Sequence, residues 1–101
     1  MITIIKTNVS KKRDAIMLGK KLLDDNLVVC SSFNKIVSQY FWKGMYHQEK
    51  EYEVVFKTGI AKKSQAIKCI NKIHPYDVPM IASKNYEINN SYKAWMDQSI
   101  G

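Results

Sequence analysis

Two apolar alternations dominate the chain between Val28 and Thr58. In the second, Tyr52, Val54 and Phe56 point one way while Glu51, Glu53 and Lys57 point the other, the period-2 pattern of a strand with one face on a core. The first carries apolar bulk on both sides, Ile36, Tyr40 and Trp42 on one and Val37 and Phe41 on the other, so its second face also needs a cover. Between them Trp42-Lys43-Gly44-Met45 reads as a tight turn in which Gly44 takes a positive φ. At roughly 3.3 Å per residue the run from Cys30 to Trp42 extends about 40 Å, against a usual strand of about 5 to 6 residues. A hairpin of that length is expected to overhang the core of its own domain and to bury its aromatic tip against a neighbouring chain.

The remaining elements follow from the same reading. Met1 to Thr7, rich in Ile and Thr, predicts a first strand, and Ser10 offers an N-cap for a helix whose apolar stripe is Ala15, Leu18, Gly19, Leu22 and Leu23. Lys11, Lys12 and Arg13 crowd positive charge at a helix start, where the dipole prefers negative charge, and Asp14 offsets only part of it. Gly19 permits close approach to a sheet, and Asp24-Asp25-Asn26 ends the helix. A second helix is expected from about Ala61 to Ile73, with Ala66, Ile67, Ile70 and Ile73 inward and Cys69 at the margin. His74-Pro75 stops it, because a residue before proline leaves the α region. Pro79 then opens a last strand through Met80-Ile81-Ala82-Ser83, a position a sheet tolerates. Ile88 to Ile100 predicts a closing helix, capped by Asn90 or Ser91, with Tyr92, Trp95 and Met96 on one side. The order βαββαβ with a helical tail is that of an α+β, ferredoxin-like antiparallel sheet with both main helices on one face. The bare second face is suited either to RNA or to other copies of the chain.

Composition narrows the class. The 101 residues, 46% of them hydrophobic and 25% charged, are expected to form one domain spanning 1–101. No apolar run reaches the roughly 20 residues of a membrane span, and the first residues lack the pattern of a signal peptide. The two cysteines are widely separated and make a poor disulfide framework, so a cytoplasmic protein without a membrane partner is expected. The net charge of +7 comes mostly from lysines assigned to helices, Lys11, Lys12, Lys20, Lys21, Lys62, Lys63, Lys68 and Lys72, together with Arg13. Such residues opposite an apolar stripe form a solvated face rather than a specific nucleic-acid site.

The candidate chemistry is sparse. No spacing pairs Cys30 with His47 or His74, and no phosphate-binding Gly-rich loop or GxSxG elbow is present, so no catalytic residue is assigned. An RNA-binding sheet needs exposed rings on a central strand, where Glu51-Tyr52-Glu53-Val54-Val55-Phe56 places acids instead. Soft and borderline donors are scattered through the chain: Cys30, Cys69, His47, His74, Met45 and Met80. Thiolate, thioether and imidazole suit copper(I) or zinc. Each also has a plainer reading, the cysteines as small buried residues, His74 as a helix stop bonded to a local carbonyl, and His47 as an exposed hairpin residue.

His74-Pro75-Tyr76-Asp77-Val78-Pro79, together with Trp42-Lys43-Gly44, Phe56-Lys57-Thr58 and the pair Tyr92 and Trp95, resembles the CutA family of divalent-cation tolerance proteins along nearly the whole chain. The resemblance implies a ferredoxin-like homotrimer held by its long hairpins, related in architecture to the PII signalling trimers, with no catalytic activity. It implies tolerance of divalent metals, copper in particular, with Cys30 and His74 as the metal residues. Trp42, Glu51, Lys57, Tyr76 and Trp95 would line the cleft between subunits. A PII-like sensor of a small anionic ligand, or a trimeric scaffold of the kind that anchors acetylcholinesterase in animals, are the alternatives it leaves open; an RNA-binding module is a more distant one. The chain departs from the family pattern at Cys30-Ser31-Ser32, at Asn34-Lys35 and at Met80, which stands where an acid is usual. That last change removes a hard oxygen donor near His74 and leaves a softer site.

Overall fold

A computed structural model describes residues 1–100. It has the order β1 (Ile2–Val9), α1 (Lys12–Asp24), β2 (Cys30–Trp42), β3 (Met45–Thr58), α2 (Lys63–Ile73), β4 (Ile81–Tyr86) and α3 (Asn90–Ile100), with a 3-10 turn at Ile60–Lys62 leading into α2. The strands form one antiparallel sheet in the order β2-β3-β1-β4, so the predicted βαββαβ arrangement with a long hairpin and a C-terminal helix is the observed one.

Strand alternation assigns two faces. Thr3, Ile5, Thr7 and Val9 of β1 are all buried and stand opposite Thr58, Phe56, Val54 and Tyr52 of β3. Ile5, Val9, Val54 and Phe56 from this inner face pack with Ala15, Leu18 and Leu22 of α1 and with Ala66 and Ile70 of α2. The buried threonines each spend their hydroxyl on a partner, Thr3 on Asn85 Oδ1, Thr7 on the Met80 carbonyl and Thr58 on the Leu27 carbonyl. The outer face carries Cys30, Ser32 and Asn34 of β2 opposite Lys57, Val55 and Glu53 of β3, and Ile4 and Lys6 of β1 opposite Lys84 and Ala82 of β4. It is open to solvent at Ser32, Asn34, Lys6, Ala82 and Lys84. Not all of the positive charge therefore lies on helices.

Several boundaries differ from those expected, each for a local reason. The α1 N-cap is Lys11, in an extended conformation and without a side-chain hydrogen bond, because Ser10 lies one residue too early to reach the first free N–H groups. Leu23 is 42% exposed, since the 100° helical step carries it past the stripe formed by Ala15, Leu18, Gly19 and Leu22. β1 runs on to Val9, and β4 starts at Ile81 rather than Pro79 because pairing begins at Thr7↔Ile81. α3 starts at Asn90 and buries Met96, while Trp95 on the same helix is half-exposed. His74 ends α2 as expected, with φ −63° and ψ 136°.

The hairpin overhangs. β1 ends opposite Tyr52, so among the described residues the pairs from Ile36↔Glu51 to Trp42↔Met45 have no third strand beside them. Its turn uses two positive φ angles, 51° at Lys43 and 75° at Gly44, the geometry that matches the twist of the flanking strands. The result is an elongated body of 48 × 24 × 20 Å with a radius of gyration of 14.6 Å. A compact chain of 100 residues would give about 13 Å.

Candidate functional site

The loop that leaves α2 is tied back to the sheet by two chains of hydrogen bonds. In the first, the Tyr76 N–H donates to His74 Nδ1 at 3.0 Å, which leaves that nitrogen unprotonated and makes Nε2 the protonated one. His74 Nε2 then donates to Thr7 Oγ1 at 2.9 Å, and the Thr7 hydroxyl donates to the Met80 carbonyl at 2.7 Å. His74 is thus a neutral imidazole with both nitrogens in use. Burial pushes its pKa below the ordinary histidine value, against a smaller opposing pull from the Asn8 backbone and Asp14.

In the second chain the Tyr76 hydroxyl donates to Glu51 Oε2 at 2.7 Å, and the Ser38 hydroxyl donates to Glu51 Oε1. Both carboxylate oxygens are engaged, and the loop is fastened to the root of the overhanging hairpin. Burial, helped by the Glu51 carboxylate, drives the Tyr76 phenol well above its usual pKa, so it stays a donor. The rings of His74 and Tyr76 lie 5.0 Å apart, which joins the two chains into one cluster.

Of the residues expected to line a cleft, a single chain brings together Glu51 and Tyr76, with His74 beside them. Lys57 stands opposite Cys30 on the outer face. Trp42 lies at the hairpin tip, about 20 Å along β2 from the Ile36↔Glu51 pair at roughly 3.3 Å per residue. Trp95 packs against Tyr92 on α3, ring centroids 5.3 Å apart. Thr7, Ser38 and the Met80 carbonyl were not anticipated as members of the cluster. Thr7 carried a usable signal, since a hydroxyl at an inward position between Ile5 and Val9 must find a partner.

Cys30, Cys69 and His74 do not converge within a chain. Cys30 belongs to the outer face, whereas His74 meets the inner face through Thr7, so the two do not share an ion in one subunit. Cys69 sits between α1 and α2; burial chiefly, then Asp25, raises its thiol pKa and keeps it protonated. Among the described residues no three His, Cys, Asp or Glu side chains gather in a way that would hold a metal ion. The expected pairing of His74 with a local carbonyl is also corrected: its partners are the Tyr76 N–H and the Thr7 hydroxyl.

The structure is thus a ferredoxin-like sheet with an overlong, aromatic-tipped hairpin and a polar cluster spent on internal hydrogen bonds. Residues 3–99 match the CutA1 divalent ion tolerance protein family, and the chain belongs to that family, one of non-catalytic tolerance proteins. It is 33% identical over 101 residues to the divalent-cation tolerance protein CutA of Thermotoga maritima, covering 99% of each chain. Among solved structures it resembles CutA1 of Ehrlichia chaffeensis, with TM-score 0.95, 26% identity and coverage of 99% of this chain and 95% of that one. The fold also matches a CutA of Archaeoglobus fulgidus described as a periplasmic divalent cation tolerance protein, with TM-score 0.91, 22% identity and full coverage of both chains. Among the described residues no helix is long and apolar enough to cross a membrane.

Proposed function

We propose that this chain is a single domain that acts as a cytoplasmic homotrimer in divalent-cation tolerance, binding copper or a similar soft metal modestly and without catalysis. The observation that carries this reading is the family match over residues 3–99. The overhanging hairpin supports the assembly, because Val37, Tyr40, Phe41, Trp42 and Tyr46 are all exposed in the single chain. Covering such surface yields about 25 cal/mol per square ångström. The trimer also supplies what one chain lacks, a means of bringing Trp42, Lys57 and Trp95 to the Glu51–Tyr76 cluster of a neighbour. Nucleic acid is not a specific partner: Glu49, Glu51 and Glu53 follow one another on the outer face of β3, and any binding through the lysines would collapse with salt.

Cys30 and His74 are the metal donors in this reading, serving as separate donors because they occupy opposite faces. His74 becomes available only if its contact with the Tyr76 N–H or with Thr7 opens. Competition against a calibrated copper(I) chelator, with wild type beside Cys30→Ser and His74→Ala, tests the assignment. Weaker copper retention by each variant is expected; a wild type that holds copper no more tightly than either variant removes both residues as ligands.

A further inference from the structure

Met45, His47 and Trp42 lie outside the donor set that the family resemblance supplies, yet the strand register gathers them. Met45 and His47 alternate onto the outer face of β3, where Met45 stands opposite Trp42 and His47 opposite Tyr40. Two residues apart on one face, they are separated by about 6.6 Å at roughly 3.3 Å per residue. A flexible thioether and an imidazole close that span over a single ion. The His47 ring lies flat against Tyr40, with centroids 5.3 Å apart and planes within 12°, which fixes its orientation without using its nitrogens.

The chain has two histidines, and they contrast. His74 has both nitrogens hydrogen-bonded, whereas among the described residues no hydrogen bond reaches the His47 ring. His47 is therefore the imidazole with a lone pair to give. Met45 is 67% exposed in the single chain, so its own fold leaves the sulfur uncovered. The face of the Trp42 indole already receives a cation, since Lys43 Nζ lies 5.8 Å from the ring centroid. Glu49, next along the same face, adds negative charge nearby.

We propose that this hairpin tip binds a soft monovalent cation, copper(I) or silver(I), through Met45 Sδ and a nitrogen of His47, with the Trp42 ring over the ion. Thioether sulfur is a soft neutral donor that favours such ions over magnesium or calcium, which seek oxygen. The inference rests on the metal-binding reading and adds the hairpin to Cys30 and His74 as a further donor set. In an assembly that covers Trp42 the same residues stand at a boundary between chains, so the test uses the assembled protein.

Silver(I) is the probe because it needs no reductant. It is titrated into Cys30→Ser/Cys69→Ser protein carrying 13C in its methionine methyls, so that thiolates do not take the ion first, and Met45→Leu assigns the signal. The Met45 methyl resonance is expected to move and saturate at one ion per chain. Tryptophan fluorescence falls in step, and that change disappears in Trp42→Phe. His47→Ala raises the silver concentration required by at least about tenfold. A Met45 resonance that stays in place, or that moves at the same silver concentration in His47→Ala, overturns the site. Wild type and Met45→Leu/His47→Ala are compared with copper(I) alongside. Equal retention by the two overturns the hairpin site and leaves the broader metal reading intact, while no retention by wild type removes both.

Discussion

His74 shows what a single side chain does in this fold. Its Nδ1 accepts from the backbone two residues on, and its Nε2 donates to a threonine of β1, so the ring fixes the path of the loop that carries Tyr76 to Glu51. The Nδ1 contact requires the neutral form, because a protonated ring has no lone pair there to accept the Tyr76 N–H, whereas the Nε2 donation survives protonation. Because burial lowers the folded-state pKa below the ordinary histidine value of 6.5, the unfolded chain binds more protons between those two values. The stability His74 contributes is therefore fully present above the ordinary pKa and is lost as pH falls through the folded one. Denaturant midpoints at fixed protein concentration should drop from pH 8 to pH 5 in wild type and drop less in His74→Asn; parallel curves for the two would show that His74 is not the titrating group.

At the scale of elements, α1 lies tightly on the edge of the sheet at Gly19. A Cβ there would stand 2.7 Å from Ser31 Oγ and 3.0 Å from Ser31 Cβ. Gly19→Ala should therefore destabilise the fold by about 1–3 kcal/mol despite the better helix propensity of alanine. Adding Ser31→Gly should return part of that loss in urea unfolding, whereas full retention of stability by Gly19→Ala alone would deny the close approach. This glycine, the hairpin and the order of the elements could be read from the chain because each rests on short-range alternation or spacing. The start of α1 and the exposure of Leu23 could not, since both turn on shifts of one residue or of 100° that composition does not register. The site was legible only in part. Tyr76 and Glu51 were named as cleft residues, but the relay from His74 through Thr7 to Met80 joins residues 67 and 73 positions apart, and no local pattern encodes such contacts. The separation of Cys30 from His74 likewise depends on which sheet face each meets, which requires the full register.

The whole molecule is dominated by a hairpin that its own chain leaves unfinished. Phe41 is 76% exposed and Trp42 60%, at the end of a body 48 Å long, while the edge strands β2 and β4 are both unpaired on their outer sides. Exposed rings and open edges on a small domain invite association. A closed assembly of identical chains satisfies them without forming fibres. The proposed trimer is built through the hairpin. Light scattering coupled to gel filtration at micromolar concentration tests it most directly: one species of about 35 kDa, three times the 11.7 kDa chain, is expected, and a monodisperse species at 11.7 kDa would contradict it.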